Sequence, residues 1–271
     1  MRGLGGVCGA GRLFVQAALV VLSVAFSAAA DDDEPPPPLR IVVFGDSQAA
    51  GLARGLQRVL VEDSRYRVLD RTHSGAALVH PEREWLDPVA RFTAREAADI
   101  AVVMLGANDR LDMRDERGVY LHFGDDDWRQ AYAARIDKIL TLLTAAKLKV
   151  VWCGNPIARS ATYTEDMAYI NDIYAAEAAR FGAQFVSLWT ALADEQGHYE
   201  AYGKDRAGVT RRLRADDGIH FTAVGYDLIA DKIISLFPAA AANTDAKPVV
   251  DGNVNANTDA HNTDGHNAAA Q

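Results

Sequence analysis

Between residues 39 and 238 the chain alternates short β-branched apolar runs with longer stretches of helical periodicity, and this alternation constrains the fold more than any other feature. Arg40–Phe44, Val68–Asp70, Ile100–Leu105, Lys149–Cys153 and Gln184–Leu188 read as strands buried on both faces. Helices are expected over residues 49–62, 84–97, 128–147, 164–181 and 222–236. A strand that returns to its sheet through a helix pairs in parallel, and its crossover is right-handed. The expected architecture is therefore an α/β fold, a three-layer α/β/α sandwich around a five-stranded parallel sheet.

The two ends read differently. Arg2 and Arg12 precede an apolar run from Leu13 to Phe26, which closes on Ser27-Ala28-Ala29-Ala30 before the acidic Asp31-Asp32-Asp33-Glu34. A basic start, a short apolar middle and an A-x-A site predict a secretory signal peptide over residues 1–30, cleaved after Ala30, and hence a secreted or periplasmic protein. The run is short for a bilayer-spanning helix, so no stable membrane span is expected once the leader is removed. Residues 31–38 read as an acidic, proline-rich linker and 39–238 as the folded domain. The tail from 239 to 271 repeats Asn-Thr-Asp and carries only Val249, Val250 and Val254 as large apolar residues. It cannot bury enough surface to offset its ordering entropy, so disorder is expected there.

Charge and cysteine narrow the function. The net charge is −9, and losing Arg2 and Arg12 with the leader makes it more negative still. No basic concentration suited to a phosphate backbone occurs, so no nucleic-acid partner is expected. The expected mature chain keeps one cysteine, Cys153, inside an apolar run; it reads as a structural thiol with no disulfide partner. His80, His122 and His198 lack metal-ligand spacing and His261 and His266 lie in the tail, so neither a metal nor a cofactor is expected.

In an open parallel sheet the ligand site lies at the carboxyl ends of the strands. Those ends are polar here: Gly45-Asp46-Ser47, Thr72-His73-Ser74-Gly75, Gly106-Ala107-Asn108-Asp109, Gly154-Asn155-Pro156, and, before the last helix, Asp216-Asp217-Gly218-Ile219-His220. A serine hydroxyl attacks an acyl carbon only if a base takes its proton, and the base works best when a carboxylate fixes its tautomer. Asp217 and His220, three residues apart in a glycine-containing turn, can form that pair and leave Nε2 for Ser47. The N–H of Ser47, the N–H of Gly75 and the side-chain amide of Asn108 follow three strands and can converge as oxyanion donors. Glycine at 75 would let the backbone approach without a Cβ. Asp46 can cap the helix or orient the nucleophile turn, and Asp109 can anchor the loop that holds the amide.

These blocks, in this order, resemble those of the SGNH or GDSL-type hydrolases across residues 40–236. The resemblance implies a flavodoxin-like sheet in the order 2-1-3-4-5, with Ser47 as nucleophile, Asp217 and His220 as its triad partners, and Gly75 with Asn108 as oxyanion donors. More narrowly, Arg211–Gly225 and Gly45-Asp46-Ser47-Gln48-Ala49 resemble a bacterial periplasmic branch of that superfamily, with Gln48 in place of the usual leucine. The expected function is a secreted or periplasmic serine esterase forming a covalent acyl-enzyme, an O-acetylesterase whose substrate is a small acyl ester or an acylated carbohydrate of the cell envelope. An acyltransferase with the same triad, or a non-catalytic envelope adaptor, stands as the alternative. Alanine at 49 and an acid only three residues before the histidine exclude the ordinary α/β-hydrolase plan.

Other residues carry open readings. His73 lines the pocket or is a polar loop residue. Asp216 helps hold His220, is solvated, or pairs with Arg214. Arg110–Trp128 is a flap over the substrate or a surface insertion. The four tryptophans, Trp85, Trp128, Trp152 and Trp189, are core or a sugar platform, and Arg211, Arg212 and Arg214 could hold an anionic polymer.

Overall fold

Three interior strands place their residues alternately on two separate cores, the period-2 consequence of the pleat. A computed structural model describes residues 36–237; the expected leader (1–30), most of the linker and the tail (239–271) lie outside the described residues. In β1 (Leu39–Gly45) Val42 and Phe44 face one side and Ile41 and Val43 the other. The same division separates Ala101 and Val103 from Val102 and Met104 in β3 (Ile100–Met104), and Val150 and Trp152 from Val151 and Cys153 in β6 (Lys149–Cys153). With β2 (Tyr66–Thr72) and β7 (Gln184–Val186) these strands form a fully parallel sheet in the order β2-β1-β3-β6-β7. Among the five main strands this is the order 2-1-3-4-5.

Helices α2 (Glu82–Arg95), α3 (Asp126–Ala145) and α4 (Ala161–Arg180) cover one face. Helices α1 (Ser47–Val59) and α5 (Ala223–Ile234) cover the other and pack on each other. Each helix lies within a few residues of its expected bounds. Two start signals are visible in the structure as side-chain caps: Ser160 accepts from Tyr163 N–H and Thr222 from Gly225 N–H, each at 3.3 Å.

Three expectations are corrected. The second strand is not buried on both faces: it is an edge strand in which Leu69 alone is buried, while Arg67, Asp70 and Arg71 meet solvent. The fifth strand is not buried on both faces either: it is the opposite edge, with Val186 alone buried, and it ends there rather than at Leu188. Two antiparallel hairpins were not anticipated, because two- and three-residue strands carry too little periodicity to read. They are β4 (Met113–Arg114) with β5 (Tyr120–Leu121), and β8 (Tyr202–Lys204) with β9 (Thr210–Arg212). Among the described residues no helix is long and apolar enough to cross a membrane.

Candidate active site

The end of β1 is drawn tight by its glycine. Gly45 has φ +142°, and a Cβ there would collide with the carbonyl of Met104 in the adjacent strand. The chain then turns through Asp46, whose carboxylate accepts from Gln48 N–H at 2.9 Å, so α1 begins at Ser47. Asp46 is both cap and floor: it has no exposed surface, and one of its oxygens has no partner. Burial, helped by the nearby charge of Asp109, pushes its carboxyl up to about 7 against the N–H groups that favour the ionised form.

Ser47 and His220 meet at this point. Ser47 Oγ lies 2.7 Å from His220 Nε2, and His220 Nδ1 lies 2.6 Å from Asp217 Oδ2. The other carboxylate oxygen of Asp217 accepts from Ile219 N–H at 2.8 Å and from His220 N–H at 2.9 Å, within a turn that Gly218 closes at φ +74°. Burial pushes this carboxyl up, but those N–H groups and the His220 ring outweigh it and bring it down to about 2. An ionised Asp217 holds the proton on Nδ1, which leaves the Nε2 lone pair facing the serine hydroxyl.

The expected oxyanion donors follow the neighbouring strands β2, β1 and β3. Asn108 Nδ2 donates to Ala76 O at 3.0 Å, which ties the amide to the residue after Gly75 and leaves its second N–H for another acceptor. Gly75 has φ +82° with nothing within 4 Å of a Cβ, so the backbone conformation, not crowding, asks for glycine here. Asp109 is wholly buried and anchors this loop, accepting from Val79 N–H at 3.0 Å and from Tyr132 Oη–H at 2.8 Å; Tyr174 lies 2.7 Å behind Tyr132. Burial pushes Asp109 up to about 6.

The open readings resolve as follows. His73 is exposed and lines, with Gly75, a groove of about 720 Å³ between β2 and α2. Asp216 is solvated and paired with Arg212, not Arg214. Arg211 pairs with Asp205 and Arg214 has no exposed surface, so these three arginines do not form a polymer-binding surface. Cys153 is buried and its thiol pushed up to about 12, which leaves it without nucleophilic character at neutral pH. Trp85, Trp128 and Trp152 are core, and Trp189 packs half-buried against it. The segment after Asn108 carries the β4–β5 hairpin, with Leu111, Val119 and Tyr120 exposed. Among the described residues no cluster of three or more His, Cys, Asp or Glu could hold a metal.

Supporting residues were missed. Tyr163 donates to Ala107 O at 3.0 Å, and the side chain of Asn171 brackets Asn155 through its N–H and C=O at 2.7 and 2.8 Å. A Cβ on Gly106 would lie 2.5 Å from Asn155 Nδ2 and 2.8 Å from Tyr174 Oη, so these side chains pack directly under the Asn108 loop. No local pattern marks them, because each acts across two or more elements.

A family profile described as "Protein of unknown function (DUF459)" matches residues 40–236. The chain belongs to this family. Among solved structures the DUF459 chain resembles an acetyl xylan esterase at 18% identity, with a TM-score of 0.52 and coverage of 73% of this chain and 98% of that one. It resembles a member of the lipolytic G-D-S-L family from Veillonella parvula to the same identity and coverage, with a TM-score of 0.53. A catalytic mutant of an acetylxylan esterase from Geobacillus stearothermophilus follows at 13% identity and a TM-score of 0.50, covering 74% and 94% of the two chains. The DUF459 domain thus has the fold of SGNH-type hydrolases. No curated protein sequence matches it.

Proposed function

We propose that this DUF459 protein is a serine esterase that removes a small acyl group, acetyl in the first instance, from cell-envelope carbohydrate after export. The unbroken chain Ser47 Oγ–His220–Asp217 carries the reading. The hydroxyl proton passes to His220 Nε2 as Oγ bonds to the acyl carbon, and the carbonyl becomes an oxyanion. The N–H groups of Ser47 and Gly75 and the free amide N–H of Asn108 receive that charge, each donor being worth about 3–4 kcal/mol of barrier in comparable sites. Collapse breaks the bond to the alcohol oxygen, which leaves with the proton from Nε2, and the acyl group stays on Oγ. Water then gives its proton to Nε2 and its oxygen to the acyl carbon, releasing the acid and restoring Ser47.

Two of the structurally similar proteins are acetylxylan esterases, which supports an acetylated carbohydrate as substrate. The leader-like residues 1–30 support export. Intact mass after treatment with a fluorophosphonate tests the chemistry: one adduct on the wild type and none on Ser47→Ala is expected. A folded wild type that takes no label, or takes it elsewhere, sinks the mechanism. Turnover of p-nitrophenyl acetate well above that of long-chain esters, and release of acetate from acetylated envelope polysaccharide, test the substrate.

A further inference from the structure

Arg214 is a cation with no exposed surface and, among the described residues, no carboxylate within ion-pair distance; the charge of Asp217 acts on it only from farther away. Burying a guanidinium in this way disfavours folding unless its donors and its charge are otherwise engaged. Here Nη2 donates to Ile157 O at 2.9 Å and to Ile219 O at 3.1 Å, with Gly218 O at 3.5 Å, while Nε and Nη1 have no partner. The rings of Phe221 and Tyr199 lie 4.2 and 4.8 Å from Cζ. Rings and carbonyls are a weak substitute for a counter-ion, so fold stability alone is a poor reason for a charge here.

What the guanidinium grips is informative. The Ile219 carbonyl belongs to the same peptide group as the His220 N–H, and that N–H donates to Asp217. One peptide plane is therefore held from both ends, by Arg214 at its oxygen and by Asp217 at its hydrogen. A cation on the carbonyl also polarises the peptide and strengthens the hydrogen bond that the N–H on its far side donates to Asp217. Through Ile157 the same nitrogen ties the turn to the loop that follows β6, and the bridge between Arg214 and Phe221 closes the turn at its base.

We propose that Arg214 is a positioning residue, whose buried guanidinium fixes the Ile219–His220 peptide and thereby aims the His220 ring at Ser47. In its kinetic part this rests on the esterase reading above. Arg214→Met keeps the length but neither charge nor donors, and Arg214→Lys keeps the charge without the fork. Both should lose kcat on p-nitrophenyl acetate by on the order of 10- to 100-fold, the scale of a small misplacement of a reacting group, with KM nearly unchanged and fluorophosphonate labelling slowed in parallel. Tyr199→Leu removes one ring of the sandwich from a half-buried loop and should lower kcat by a smaller factor. If neither arginine variant folds, Tyr199→Leu decides: an unchanged kcat overturns the proposal. The downfield NMR resonance of the His220 Nδ1 proton gives a readout independent of turnover. It should persist in Ser47→Ala and broaden or vanish in Arg214→Met. Folded arginine variants with lowered melting temperature but wild-type kcat, or with that resonance intact, would reduce Arg214 to a packing element. A wild type that hydrolyses no ester would instead remove the esterase reading and leave the resonance to decide the role of Arg214.

Discussion

Gly51 in α1 lies against the ring of Tyr226 in α5, so close that a Cβ at position 51 would come within 2.1 Å of the ring's Cζ. One turn later a Cβ on Gly55 would come within 2.7 Å of the Tyr226 carbonyl. The two glycines let α1, which begins with Ser47, approach α5, which begins three residues after His220. This helix contact brings together two residues 173 positions apart.

Gly51→Ala should therefore push α5 away and lower stability by about 1–3 kcal/mol, the usual cost of overpacking. Since the displaced helix leads out of the His220 turn, kcat should fall further than the melting temperature implies. Thermal melts beside p-nitrophenyl acetate kinetics measure both, and a loss of stability with unchanged kcat per folded molecule would show that the helix contact does not set the site.

Asp217→Asn should leave the fold intact, because an amide oxygen can still accept from Ile219 and His220. Its amide nitrogen, however, would face His220 Nδ1 and place the proton on Nε2, the wrong nitrogen for accepting from Ser47. The expected loss in kcat is on the order of 10⁴-fold, as in comparable triads. A loss of less than tenfold in a variant with wild-type circular dichroism would count against the acid's role.

The acid limb of the stability profile carries the Asp217 carboxylate. With its carboxyl brought down to about 2, Asp217 contributes its stabilisation in full above the usual 3.8 and loses it only as pH falls from there toward 2. A fall in kcat/KM at milder acidity therefore does not come from Asp217. An unfolding free energy that does not change between about pH 4 and about pH 2 would show that the folded chain does not hold Asp217 in its ionised form.

Asp46 carries the opposite sign. Its carboxyl sits at about 7 in the folded chain against 3.8 for the ordinary group, so folding favours the protonated form. Its contribution is complete below pH 3.8 and is lost as pH rises through 7. Asp46→Asn keeps a helix cap of equal quality and removes the titration. The stability of the variant relative to wild type should therefore rise as pH is raised from about 4 to about 7. Urea titrations at several pH values measure the difference, and a gap that does not change with pH would show that Asp46 does not titrate in this range.

The strands, helices and polar loops that hold Ser47, Asn108, Asp217 and His220 were legible because each depends on a local pattern: a buried run, a helix start, a glycine turn. The edge position of β2 was not, since an apolar Val68-Leu69 pair reads the same whether one neighbour or two will flank it. The burial of Arg214 is not legible beside its open readings as a partner of Asp216 or of an anionic polymer, because nothing next to it in sequence announces Ile157, Tyr199 or Phe221. Tyr132, Tyr174 and Asn171 were invisible for the same reason: their roles arise where helices cross the sheet, and sequence separation hides those crossings.

The turn from Asp217 to His220 holds its acid and base by its own hydrogen bonds, with one carboxylate oxygen on the imidazole and the other on two backbone N–H groups. Acid and base therefore travel as one rigid piece, and the geometry that remains adjustable is the placement of that piece relative to Ser47. The contacts that set this placement are spread along the chain, from Gly51 and Gly55 against Tyr226 to Ile157 and Tyr199 around Arg214, so substitutions there move the piece as a whole rather than splitting the pair. Grafting Asp217-Gly218-Ile219-His220 onto another α/β sheet would therefore carry over the pairing of acid and base but not its aim, which comes with Arg214 and the carbonyls it holds.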